Sequence, residues 1–118
     1  MNTPTLILLL LTALEHLYIM VLETIATTSK KTSRTFGISV DELRTHHINV
    51  LLKNQGIYNG LIALLLITAA LTHNLLWGQL LFGYVIAAAF YGGLTSDPKI
   101  ILKQGGLAII GLAVSLLS

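Results

Sequence analysis

Glu15, His16 and Glu23 stand inside an apolar run that holds nothing else able to ionise except Tyr18. On a helical wheel of about 100° per residue, Thr12, Glu15, His16, Ile19, Glu23 and Ala26 share an arc of roughly 100°, with Tyr18 at its edge. The opposite face is Leu, Ile and Val. A carboxylate among apolar side chains costs on the order of several kcal/mol unless it is paired, hydrated or protonated. Residues of this type in this setting bind a proton or a cation, or serve as acid and base toward a buried substrate.

A second polar face follows. Gln55, Gly56, Asn59, Gly60 and Ala63 fall on one side of a helix, with Asn54 and Tyr58 on its flank. Gly56-Ile57-Tyr58-Asn59-Gly60 is a small-xxx-small pattern that lets another helix approach closely. Later, Tyr84 and Tyr91 align on one helical face, followed by Gly92, Gly93 and Thr95, and the last apolar run contributes Gln104. Together Glu15, His16, Tyr18, Glu23, Asn54, Gln55, Tyr58, Asn59, Tyr91 and Gln104 make a candidate ligand or proton site, with Gly56, Gly60, Gly92 and Gly93 as packing positions. The plainer reading of the amides is glue between helices, worth about 1 kcal/mol each. Adjacent helical residues point about 100° apart, so Glu15 and His16 do not grip one ion and no metal site is expected. His46-His47 reads as a solvated face, and no cofactor is indicated.

Four apolar runs must position these residues, at about 4–26, 48–72, 75–95 and 99–117. The first rises about 35 Å as a helix, enough for a hydrocarbon core of about 30 Å. Counting the rise from each end sets Glu15 and Asn59 near the midplane, and Glu23 level with Asn54 and Gln55. The expected fold is an all-α, polytopic membrane four-helix bundle in one domain, residues 1–118.

Between the runs lie helix stops and starts. Residues 27–35 are polar and basic, and Phe36-Gly37 breaks any helix. Ser39 and Glu42 form a capping-box pattern that starts the second helix near Val40. That helix is either one long rod or a surface piece joined to the span at a bend. His73-Asn74 closes a tight turn. In Thr95-Ser96-Asp97-Pro98, Ser96 or Asp97 caps the next helix while Pro98 fills its first turn.

All the Lys and Arg residues fall in two segments: Lys30, Lys31, Arg34, Arg44 and Lys53, then Lys99 and Lys103. Short basic loops stay in the cytoplasm, so both termini are expected outside, in a multi-pass protein of the cell (inner) membrane. The uncharged Met1 to Thr5 and the acidic residues in the first run argue against a signal peptide. Only 10% of residues are charged and none is Cys. That excludes disulfide and thiolate chemistry, and nothing reads as a nucleic-acid surface. Expected partners are the bilayer, a small-molecule or lipid ligand, and a second copy of the chain, because four short helices enclose little volume.

Leu14-Glu15-His16-Leu17-Tyr18-Ile19, Leu22-Glu23, Phe36-Gly37 and Asn54-Gln55-Gly56-Ile57-Tyr58-Asn59-Gly60 resemble a family of small four-helix bacterial membrane proteins. It is known as domain of unknown function 1304. Tyr91-Gly92, Lys99-Ile100 and Gln104-Gly105 extend the resemblance over nearly the whole chain. It implies the fold and topology and carries no activity. Small multidrug-resistance transporters share only four helices and a Glu in the first. Membrane eicosanoid and glutathione enzymes share span count and an Asn in the second helix, but Arg34 and Arg44 both lie outside the runs, leaving no deep Arg for a glutathione carboxylate.

Three functions therefore stand open: a proton-coupled or small-solute carrier titrated at Glu15, which leads; a membrane-embedded enzyme or binder of a lipid-soluble ligand; and a structural or accessory membrane subunit.

Overall fold

The computed structural model describes residues 1–118, and every regular element is helical. Helix α1, Thr3–Met20, runs directly into a π-helical turn at Val21–Ile25. Two short helices follow, α2 at Lys30–Phe36 and α3 at Val40–Leu43. Then come α4 at His46–Leu71, α5 at Leu75–Thr95 and α6 at Lys99–Ser115. The all-α class holds. The helices number six rather than four because the basic segment after the first run forms α2 and the start expected for the second helix near Val40 is a separate turn, α3.

Three helices are long and apolar enough to cross a membrane: Thr3–Ile25, His46–Leu71 and Leu75–Thr95. Between 28% and 33% of the most apolar stretch of each is buried, and many large apolar side chains on all three are exposed, as suits a lipid solvent. Helix α6 has 17 residues and rises about 26 Å.

The chain divides into two compact units, residues 1–15 with 64–118, and residues 16–63. In the first, α5 and α6 lie against each other through small residues. The ring of Phe82 sits where a side chain on Gly111 would stand, and Ile101 likewise occupies the space beside Gly93. A Cβ on Gly105 would be 3.1 Å from that of Ala89. Asn2 starts α1: its Oδ1 accepts from the Thr5 amide at 2.9 Å and from the Thr5 hydroxyl, while its Nδ2 donates to the Val114 carbonyl at 3.2 Å. His73 takes φ +50°, and Asn74 Oδ1 accepts from the Trp77 amide at 3.1 Å, so a three-residue turn joins α4 to α5. Before α6, Asp97 Oδ1 accepts from the Lys99 amide at 3.0 Å, and Pro98, at φ −54°, is the cap residue just ahead of the helix rather than part of its first turn.

In the second unit, caps define the short helices. The Ser29 hydroxyl accepts from the Thr32 amide at 3.1 Å to start α2. Gly37, at φ +67°, ends it in the left-handed conformation that glycine adopts without strain. Ser39 starts α3 by accepting from the Glu42 amide at 3.2 Å, and its hydroxyl meets Glu42 Oε1 at 3.2 Å. The carboxylate thus meets the serine hydroxyl rather than the backbone amide of a full capping box. Helix α3 stops after one turn, and α4 begins afresh at His46. Asn49 spans the break, its Nδ2 donating to the Leu43 carbonyl at 3.2 Å. The second apolar run is therefore joined to the helical turn that precedes it at a bend, not as one rod.

Candidate functional site

Glu23 lies in the middle of the π-helical turn. There the Ala26 amide donates to Val21 O at 2.8 Å, one residue further back than α-helical spacing. Such a turn widens the helix, loosens its carbonyl ladder and is found often at functional positions. The side chain of Glu23 is fully buried. Its Oε1 accepts from Asn59 Nδ2 at 2.6 Å, and its Oε2, also buried, has no partner.

Two glycines of α4 make that bond reachable. A Cβ on Gly60 would lie 2.5 Å from Met20 Sδ. A Cβ on Gly56 would overlap the Thr24 hydroxyl and stand 3.1 Å from Glu23 Cβ. Without side chains at these positions, α4 comes close enough to the π-helical turn for the short Asn59 side chain to span the gap.

Threonines take up the carbonyls around the turn. Thr27 Oγ1 donates to Glu23 O at 2.7 Å, and Thr24 Oγ1 to Lys53 O at 3.4 Å. Thr32, reaching back from α2 and fully buried, shares its hydroxyl proton between Ala26 O at 2.7 Å and Leu22 O at 3.0 Å. Helix α2 is thereby fastened against the end of the first apolar helix. Thr27 and Thr32 were read as part of a polar linker. The available signal was a run of hydroxyl side chains directly after a helix end, where free carbonyls need donors.

The depth count differs from the structure. It set Glu23 level with Asn54 and Gln55, whereas the bonded partner is Asn59. Helix α4 has 26 residues and rises about 39 Å, longer than a hydrocarbon core. Its polar first turns extend past the level of Glu23 and shift the register by about one turn. Asn54, Gln55 and Tyr58 are exposed on α4.

Tyr18 is about half exposed, and the Lys31 ammonium lies 5.4 Å from its ring centre, within cation–π range. His16 is buried. Glu15, Tyr91 and Gln104 belong to the other unit. There Glu15 Oε1 is buried without a partner, Gln104 is half-buried, and Tyr84 and Tyr91 are exposed. A Cβ on Gly92 would lie 3.4 Å from Ile100 Cγ2, and one on Gly93 would overlap the Ile101 side chain. No three His, Asp or Glu side chains converge as a metal centre would require. That unit also holds an apolar cavity of about 360 Å³ between the end of α4 and the start of α5, lined by Leu65, Ala69, Leu81, Thr68 and Trp77.

The arrangement in residues 16–63 is thus a buried carboxyl with one neutral amide partner and one open oxygen, beside a helical irregularity. It can hold a proton or a small cation, and it can donate or accept a proton.

No solved structure matches the chain. The chain is similar to the uncharacterized protein YpaA of Lactococcus lactis subsp. lactis (strain IL1403), with 54% identity over 117 residues that cover 98% of each chain. The family model described as protein of unknown function (DUF1304) matches residues 10–116. The sequence blocks around Glu23 and Asn59 fall inside that match, and the chain belongs to the DUF1304 family.

Proposed function

We propose that this chain is a multi-pass protein of the cell membrane that carries a small cation or solute in exchange for protons, with Glu23 as the exchanging carboxyl. In this topology α6 is a fourth crossing, both termini are extracytoplasmic, and the two basic segments face the cytoplasm. A single observation supports the carrier reading: Glu23 is fully buried, bonded through Oε1 to Asn59 alone, and open at Oε2. An ionised carboxyl in apolar surroundings needs a counter-ion, while a protonated one does not. A residue with that requirement and a neutral partner alternates between a proton and a bound cation. A structural carboxyl would be expected to have both oxygens satisfied.

The test is proton movement across proteoliposomes loaded with a pH-sensitive dye, driven by a sodium or potassium gradient. Wild type is expected to couple the two, and Glu23→Gln, which keeps an acceptor for Asn59, to abolish coupling in a folded protein. Glu15→Gln run in parallel reads which carboxyl carries the proton. Coupling unchanged in both variants would reject the carrier.

The apolar cavity in the first unit favours a second reading, a binder of a lipid-soluble ligand. Mass spectrometry of the purified protein would then reveal a stoichiometric hydrophobic molecule that Ala69→Leu displaces.

A further inference from the structure

We propose that the exposed face of α2 is a binding site for the headgroup of an anionic phospholipid. Wheel positions within α2 place Lys30, Lys31 and Arg34 on one arc of about 100°, with Thr32 and Phe36 on the opposite side. All three basic residues are exposed, while Thr32 is fully buried and Phe36 partly so. No acidic residue of α2 offsets them. One side of the helix is thus charged and exposed, and the other carries the buried Thr32.

Its placement makes the site more than a basic loop. The Thr32 hydroxyl holds α2 to the carbonyls of Leu22 and Ala26 at the end of the first apolar helix. Lys31 then reaches back to the ring of Tyr18, which lies seven residues before the end of that helix at Ile25. The Lys31 ammonium thus stands beside a tyrosine of the first apolar helix, near the end from which a lysine can snorkel to lipid phosphates. Lys30 and Arg34 flank it, and Arg34 adds a planar fork suited to a phosphate. Charge complementarity selects the occupant: the cytoplasmic leaflet is the anionic one, and basic juxtamembrane residues each add to its attraction. The inference rests on the membrane placement above and not on transport.

The test uses the full chain purified in a neutral detergent with equal amounts of phosphatidylglycerol and phosphatidylcholine, followed by native mass spectrometry of retained lipid. Wild type is expected to retain phosphatidylglycerol preferentially. The variant Lys30→Gln/Lys31→Gln/Arg34→Gln alters only exposed side chains and should lose that preference about tenfold. Lys99→Gln/Lys103→Gln, on the other basic loop, should keep it, as should Glu23→Gln. Millimolar inorganic phosphate should not displace the lipid. Equal preference in wild type and the α2 variant overturns the proposal, as does an equal loss in the Lys99/Lys103 variant or displacement by phosphate. A unchanged unfolding temperature for the α2 variant, or retention rescued by Lys30→Arg/Lys31→Arg, separates lost binding from lost fold. Retention without proton flux would reject the carrier and leave this site standing.

Discussion

Taking away the charge of Glu23 and taking away its partner are expected to cost different amounts. Glu23→Gln preserves the side-chain shape and an acceptor for Asn59 Nδ2, which now bonds Oε1 at 2.6 Å. Its effect on stability should be within about 1 kcal/mol. Asn59→Leu leaves a buried carboxyl with neither oxygen satisfied and should cost about 2 kcal/mol. Thermal unfolding in detergent measures both, and in the double variant the Asn59→Leu penalty should shrink. Equal penalties for both single variants would mean the bond adds nothing. Each residue was legible as a polar intruder in an apolar run. Their pairing was not, because helical rise sets depth only to within about a turn, and the π-helical turn at Val21–Ile25 changes the phase just where Glu23 stands.

Between elements, the close approach of α4 to the first span depends on Gly56 and Gly60. Gly60→Leu should push against Met20 and cost roughly 1–3 kcal/mol, while substitution at the exposed Ile57 should be near neutral. Thr32→Val should release α2 from Leu22 O and Ala26 O, at a cost of about 1–2 kcal/mol, and speed proteolytic cleavage within residues 26–38. Cleavage no faster than in wild type would show that other contacts hold α2. The helix ends at His73-Asn74 and Asp97-Pro98 were legible because capping chemistry is local: a side-chain oxygen three residues or fewer from an unpaired amide. Helix α2 was not read as a helix although both its caps are in the sequence, Ser29 ahead of Thr32 and Gly37 behind Phe36. Its lack of an apolar stripe hid it, since its buried contact is a hydroxyl clasping carbonyls. The break before α4 was also undecidable from residue types, because Val40 to Ile48 contains no Gly or Pro.

For the molecule as a whole, the distribution of Lys and Arg makes the sharpest prediction. Alkaline phosphatase fused after Ser118 should be active in the intact envelope, and fusions after Arg34 or Ser96 inactive. Opposite activities for the Arg34 and Ser96 fusions would break the topology. That the chain is helical and apolar enough for membrane crossings followed from composition and run length alone, which need no tertiary knowledge. Its division into two compact units did not, because the boundaries at Glu15/His16 and Ala63/Leu64 fall inside continuous helices.

If α6 is the proposed fourth crossing, its 17 residues have a bearing on the lipid around them. A segment rising about 26 Å is a few Å short of an average hydrocarbon layer. In the proposed topology, acyl chains beside such a crossing would disorder or dip to keep its ends wetted, and Lys103 would stretch toward the headgroups. Such local thinning has an elastic penalty that falls when two short segments share one dimple. Reconstitution in bilayers of increasing acyl length should therefore draw copies of the protein together, and thin bilayers should disperse them.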